Sequence, residues 1–453
     1  MPNRVVGIFK TRTSPVVLQF VAAVLLSIPA GGFSAFAADD FEREPVNYSA
    51  AKPQNVVSRL QKQIESGRAR FEFDGRWGYL RSLLHALNVP ESSQMLVFSK
   101  TSFQRQRIAP RTPRALYFND DVYVGYCCDG DVMEISAADP NWGAVFYTLD
   151  QERIDKPRIA RQTDSCLQCH ASSQTQGVPG FVIRSVYSDA AGFPILGSGT
   201  FHIDQTSRLK NRWGGWYVTG THGKQKHLGN LIVTGKQTPE ETDNSAGMNV
   251  TSLAGRFNGT KYLAGSSDIV ALMVMEHQTT AHNLITAANF QTRLALAQEA
   301  ALNRELRQPT AYRWESTTSR IKAVGEALVK YLLFSEEAAL TEPIRGTTSF
   351  ASDFAARGPR DKRGRSLRDF DLKRRLFKYP CSYLVYAPAF DALPNAVKKY
   401  VSQRLGEILS GADTSPEFAR LTRADRRAIV EILKETKPEL AASWKHVNPV
   451  AAN

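Results

Sequence analysis

From Val56 to Asn88, apolar residues recur at helical spacing (Leu60, Ile64, Phe71, Leu80, Leu84, Leu87). A break near Phe73-Asp74-Gly75 divides that pattern, which predicts interrupted helical structure. The stretch before it, Ala38 to Pro53, is polar and reads as a loose arm. The period then shortens. Gln94 to Phe98 reads as a strand, and Ala115 to Phe118 and Val122 to Tyr126 flank Asn119-Asp120-Asp121, a hairpin signal. Val132 to Ile135 and Ala144 to Thr148 extend the series, so residues 94–150 predict a small antiparallel sheet. Two further strand-like runs cover Phe181 to Tyr187 and Ile195 to Ile203.

Helical spacing returns from Ser266 to Leu302, a stretch with no Pro or Gly, and again over 317–338, Ala396 to Leu409 and Arg423 to Glu435. Thr422 and Asp425 stand where a helix start would place its capping residues. The fold class predicted is α+β. An N-terminal helix and antiparallel sheet (38–160) precede a central region (161–265) and a mainly helical C-terminal part (266–453).

Residues 1–37 follow a different logic. Arg4, Lys10 and Arg12 come first without an acidic residue, an apolar run from Val16 to Leu26 follows, and Ala35-Phe36-Ala37 closes the segment. Cationic, apolar, then small-x-small is the layout of a secretory signal peptide, with cleavage expected after Ala37. The competing reading is a membrane anchor, but spanning needs about 20 apolar residues. No later stretch is apolar enough to span, so the expectation is a bacterial periplasmic or secreted protein with no transmembrane segment after cleavage.

About 415 residues would remain, enough to bury a sizeable core. A hydrophobic content of 42% and a charged content of 22% are ordinary for a globular chain and argue against disorder. The formal charge of +13, or +10 without the three N-terminal cations, favours acidic partners. No nucleic-acid motif accompanies it. The cations concentrate in the loop-like segment 342–378, which holds eleven Arg or Lys against five Asp or Glu. That segment reads either as a dock for an acidic periplasmic partner or as a solvated loop.

Chemistry enters at Cys166-Leu167-Gln168-Cys169-His170. Cys-x-x-Cys-His is the attachment pattern of c-type haem. Two thiols on one helical turn form thioethers with the porphyrin vinyl groups, and the adjacent imidazole comes under the iron as proximal ligand. A zinc site would call for a second Cys or His pair of similar spacing, which the sequence lacks. A thioredoxin-like redox pair has no need of the histidine. One motif predicts one covalent haem c, bound through Cys166, Cys169 and His170. The remaining cysteines are Cys127, Cys128 and Cys381; export would permit Cys381 to pair with one of the vicinal two.

In this motif the chain resembles c-type cytochromes, and Thr422 to Leu433 is similar to the closing helix of a small cytochrome c domain. With Tyr117-Phe118-Asn119-Asp120 before the motif and Arg212-Trp213-Gly214-Gly215-Trp216-Tyr217 after it, the wider chain resembles a group of large exported haem proteins. That second likeness implies a cofactor and no activity. The function expected is periplasmic electron transfer. A haem enzyme of peroxidase or oxidase type and a haem-based sensor are the alternatives.

The sixth iron ligand decides among these. His222, in a Gly-rich, Trp-rich stretch running to Asn230, and His277, in the long apolar helix, are the leading candidates, and Met248 is the third. His277 shares a helical face with Val270, Met273, Ala281 and Leu284, which equally fits a core histidine; His282 lies on another face. Arg212 or Arg184 would pair with a propionate, because Arg matches carboxylates.

Overall fold

Face alternation along a central sheet decides how the rest of the chain is arranged. In the computed structural model, which describes residues 40–234, 238, 241–442 and 444, this sheet has seven strands. They are β1 (Met95–Val97), β2 (Arg114–Phe118), β3 (Val122–Tyr126), β4 (Val132–Asp139), β5 (Gly143–Asp150), β6 (Ile159–Gln162) and β9 (Trp216–Tyr217). Their spatial order is β6-β5-β4-β3-β2-β1-β9, and every neighbouring pair is antiparallel. β7 (Arg184–Val186) and β8 (Thr200–His202) form a separate two-stranded ribbon. The expected hairpin forms: Asn119 Oδ1 accepts from the amides of Asp121 and Val122, closing the turn between β2 and β3.

Because successive strand residues point to opposite faces, the sheet divides two cores. Leu96, Tyr117, Val124, Ile135, Val145, Tyr147 and Leu149 meet Leu60 and Ile64 of α1 (Val56–Glu65) and Leu80, Leu83 and Leu84 of α2 (Leu80–Ala86). Met95, Val97, Phe118, Tyr123 and Phe146 face the other way. There they meet the first half of the 37-residue helix α4 (Ile269–Glu305), which follows the single turn α3 (Leu167–His170) in chain order. Farther along α4, Ala287, Phe290 and Leu294 reach the first core. The 38–160 and 266–453 parts therefore share both cores, within one compact unit spanning Phe36–Asn453.

On α4 pack α5 (Glu315–Leu332), α6 (Phe350–Ala356), α7 (Pro388–Asp391) and α8 (Asn395–Ser410), and on α8 pack α9 (Arg423–Thr436) and α10 (Pro438–Ala441). The helix start expected at Thr422 is a reciprocal capping box with Asp425. No helix among the described residues is long and apolar enough to cross a membrane. The predicted signal peptide lies outside the described residues.

The basic segment 342–378 is loop with one short helix, as expected, but its cations are not simply solvated. Six of the eleven close ion pairs: Arg360 with Asp369, Arg363 and Arg365 with Glu431, Arg365 also with Asp361, Arg368 with Asp120, Arg374 with Asp371, and Arg375 with Asp425. The segment is thereby stitched to α9 and to the β2–β3 turn.

Asp268 starts α4. Its Oδ1 accepts from Val270 N at 2.8 Å, while Oδ2 accepts from the amides of Thr347 and Thr348 at 2.8 and 2.9 Å. Asp268→Ala orphans those donors and is expected to cost at least about 2 kcal/mol. A urea titration should show a lower midpoint with an unchanged slope.

Candidate functional site

The motif is built locally. β6 delivers the chain to Asp164, whose carbonyl accepts from Leu167 N, and the Cys166 carbonyl accepts from the amides of Cys169 (3.3 Å) and His170 (3.0 Å). This one turn, α3, sets Cys166 and His170 four residues apart on one face. Cys166 is half-buried and Cys169 exposed, and neither is in a disulfide. Burial pushes the Cys166 thiol up to about 11.

His170 is held from two sides by one residue. Its carbonyl accepts from Gly180 N at 2.8 Å, and its Nδ1 lies 3.0 Å from the Gly180 carbonyl. A carbonyl can only accept, so Nδ1 carries the proton and Nε2 keeps its lone pair, the tautomer of a metal-ligating histidine. Burial lowers the ring's pKa and favours that neutral form. Phe146 of β5 lies against the ring, with centroids 4.8 Å apart.

Gly180 is itself pinned. Asn283 of α4 accepts from Phe181 N and donates to Phe181 O, both at 2.8 Å, and Ala144 N donates to Pro179 O. A Cβ at Gly180 would meet Asn283 Oδ1 at 2.4 Å, so only glycine allows this approach. Asn283 and Gly180 escaped the sequence reading because their importance lies in a contact across a hundred residues. A buried Asn in an apolar helix was the one available signal.

Next to the motif the inner sheet face is only partly covered. Arg114, Leu116, Glu134 and Thr148 are half-buried there, whereas Phe118, Tyr123 and Phe146 nearer α4 are buried. Arg114 crosses Gly125 of β3, where a Cβ would meet its guanidinium, and pairs with Glu134 at 2.6 Å. The charges of Arg114, Glu134 and Arg184 all act on the His170 ring. Arg184 makes no ion pair among the described residues, whereas Arg212 is buried and bonded to Glu276 at 2.8 Å. Of the two propionate candidates only Arg184 is thus uncommitted.

The expected distal residues are placed elsewhere. His277 is fully buried: Nδ1 is bonded to Gln205 Oε1, and Nε2 accepts from the Ser382 hydroxyl at 2.7 Å. With both nitrogens engaged it is a core histidine, and no lone pair is left for iron. His222 is also buried. Its Nε2 accepts from Asn249 N at 3.0 Å, which puts the proton on Nδ1, and its ring lies 4.7 Å from that of His227. Met248 is half-buried beside Asn249. Trp213 is enclosed against His227. None of these is brought to His170 by any contact. Cys127, Cys128 and Cys381 are buried and unpaired, so the disulfide that export would permit is not formed.

Two cysteines and a histidine on one turn invite a zinc reading. Yet among the described residues no three His, Cys, Asp or Glu side chains converge as a metal-binding group. Two unpaired thiols beside one imidazole that keeps a lone pair fit a flat macrocycle anchored at its edge, so these residues fit a c-type haem. No protein-family model, curated protein or solved structure matches the chain.

Asn283→Leu keeps the volume and strips both bonds from Phe181, with an expected cost of about 2–4 kcal/mol; chemical denaturation measures it. A second expectation concerns pH. Burial holds His277 neutral, lowering its pKa from the ordinary 6.5 to about 3. Its contribution is therefore present above pH 6.5 and lost as pH falls towards 3. The loss of stability over that window should be shallower in His277→Gln than in the parent.

Proposed function

We propose that this chain is an exported electron-transfer protein with one covalently bound haem c, anchored by Cys166 and Cys169 and ligated by His170. The observation that carries the reading is the bond from His170 Nδ1 to the Gly180 carbonyl, beside two unpaired thiols. It fixes the tautomer, the ring orientation and the ligand basicity that a proximal histidine needs. When bound, the haem iron supplies one-electron redox chemistry. The chain's own residues do the rest. Phe146 excludes water from one side of the imidazole, α4 holds the Gly180 loop through Asn283, and Arg184 offers a charge to a propionate.

The N-terminal segment supports a periplasmic location. The net charge of +13 supports an acidic redox partner. Arg345, Arg357, Lys362, Lys373 and Lys378 of the 342–378 segment are exposed and make no ion pair among the described residues, so they remain available to meet this partner.

Cys166→Ala combined with Cys169→Ala is expected to abolish haem that survives acidified organic extraction. Haem still covalently bound in the double variant would overturn the assignment. The carrier reading expects a six-coordinate, low-spin ferric spectrum unchanged by cyanide or peroxide. A high-spin form that binds both would replace the carrier with a haem enzyme.

A further inference from the structure

We propose that Phe103, Phe193 and Leu196, apolar side chains on two touching loops, dock this chain on an anionic lipid bilayer together with Lys100, Arg105 and Arg111. The inference uses neither the motif nor a haem.

Exposure comes first. Among the described residues Phe103 and Leu196 are each 69% exposed and Phe193 56%, the three highest values for large apolar side chains. A single exposed leucine needs no explanation, but these three belong to one place. Phe103 lies in the loop between β1 and β2, and Phe193 and Leu196 lie in the turn of the β7–β8 ribbon. The two loops meet at Lys100. Its amide donates to the Gly192 carbonyl at 2.7 Å, and its ammonium stands 5.2 Å from the centre of the Phe193 ring. The same ammonium donates at 3.2 Å to the carbonyl of Arg105, two residues beyond Phe103. Leu196 follows Phe193 by three residues, within roughly 11 Å along the chain.

Both loops are held in shape. Asp189 Oδ1 accepts from the amides of Ala191 (2.9 Å) and Phe193 (2.8 Å), and Asp189 N donates to the Phe193 carbonyl at 3.0 Å. Gly192, at φ +87°, has no room for a Cβ, which would meet the Phe98 carbonyl at 2.5 Å. Buried Gln104, next to Phe103, donates to the Val132 carbonyl at 2.9 Å and accepts from Asp131 N at 3.1 Å. The exposed apolar tips are therefore part of the ordered fold.

Charge names the occupant. From Ser92 to Asn119 the chain has five cations, Lys100, Arg105, Arg107, Arg111 and Arg114, and no Asp or Glu. Residues 190–203 carry neither sign. Arg107 pairs with Asp131 and Arg114 with Glu134, which leaves Lys100, Arg105 and Arg111 without an ion pair among the described residues. Cations beside exposed aromatic and aliphatic side chains match the headgroup boundary of an anionic leaflet. There the rings and the leucine enter the acyl edge while the charges stay with the phosphates. Separate apolar tips fit a fluid surface that closes round each one, whereas a protein partner must match a continuous patch in shape. The other exposed apolar set, Leu302, Leu306 and Tyr312 at the end of α4, has Glu305 and Glu315 among its arginines, so its charge selects no anionic surface.

The test sediments the full chain with vesicles of phosphatidylcholine alone or mixed with phosphatidylglycerol. It compares the parent with Phe103→Ser/Phe193→Ser/Leu196→Ser, with Arg105→Gln/Arg111→Gln, and with Leu302→Ser/Leu306→Ser as control. The parent is expected to bind the mixed vesicles, to leave the neutral ones largely unbound and to be released by salt. The triple variant and the charge variant should each lose affinity about tenfold or more, and the control should match the parent. Every substituted side chain is exposed, so circular dichroism should be unchanged; the charge variant keeps the test decisive if the triple variant folds poorly. A parent that binds neither vesicle or both equally, a charge variant or a folded triple variant that binds like the parent, or a control that weakens as much would each overturn the proposal. A dimer that the triple variant dissolves would give the surface to a second copy instead. Retention on immobilised polyglutamate, lost in the triple variant and without vesicle binding, would give it to an acidic protein.

Discussion

Asn283 makes two hydrogen bonds to the backbone of Phe181, and they back the loop that holds the motif histidine. They belong to a belt of polar side chains around the first half of α4, a helix otherwise enclosed by apolar residues. Glu276 bonds Arg212; His277 bonds Gln205 and Ser382; Gln278 donates to the Asn119 carbonyl and the Tyr123 hydroxyl; His282 donates to the Asp120 carbonyl. A buried polar group without a partner costs about 1–3 kcal/mol. Each member of the belt therefore holds its loop in one place, and together they fix the 205–212 loop, the β2–β3 turn, the Gly180 loop and Ser382 around one helix.

This explains why so large a chain surrounds so short a motif. A four-residue turn such as α3 has no stability of its own, because helix nucleation is unfavourable. It is held because its last residue is bonded to Gly180, because Gly180 is backed by Asn283, and because the sheet supplies Phe146. The path from α4 to the imidazole is two pairs of hydrogen bonds, Asn283 to the Phe181 backbone and the Gly180 backbone to His170.

Charge follows the same pattern. Read linearly, segment 342–378 is a concentration of cations. Folded, Arg363, Arg365 and Arg375 meet Glu431 and Asp425 of α9, and Arg368 reaches Asp120 in the β2–β3 turn. Asp120 is thus tied both through its side chain and through its carbonyl, which takes the His282 proton. What reads as a docking surface is in part a seam, made by Arg365, Arg368 and Arg375, while the other cations of the segment stay exposed. Arg184, in the short strand that follows the Gly180 loop, makes no ion pair among the described residues.

Local pattern alone determined a good deal. The hairpin at Asn119, the strands from Met95 to Asp150, the long helix after Asp268 and the capping box at Thr422 were all legible, because each follows from period, turn chemistry or capping within a few residues. The spacing of Cys166, Cys169 and His170 was equally visible, and the proposal of a haem rests on it. Strands β6 and β9 were not legible, since a four-residue and a two-residue run gain their pairing only from a sheet already in place. Nor was the fate of the histidines. His222 and His277 have the right residue type and setting for a ligand, but a ring nitrogen is a ligand only if nothing else claims its lone pair. The claimants, Asn249, Gln205 and Ser382, stand 27 to 105 residues away. Only the tertiary structure brings them together, and only it leaves His170 with a lone pair to offer.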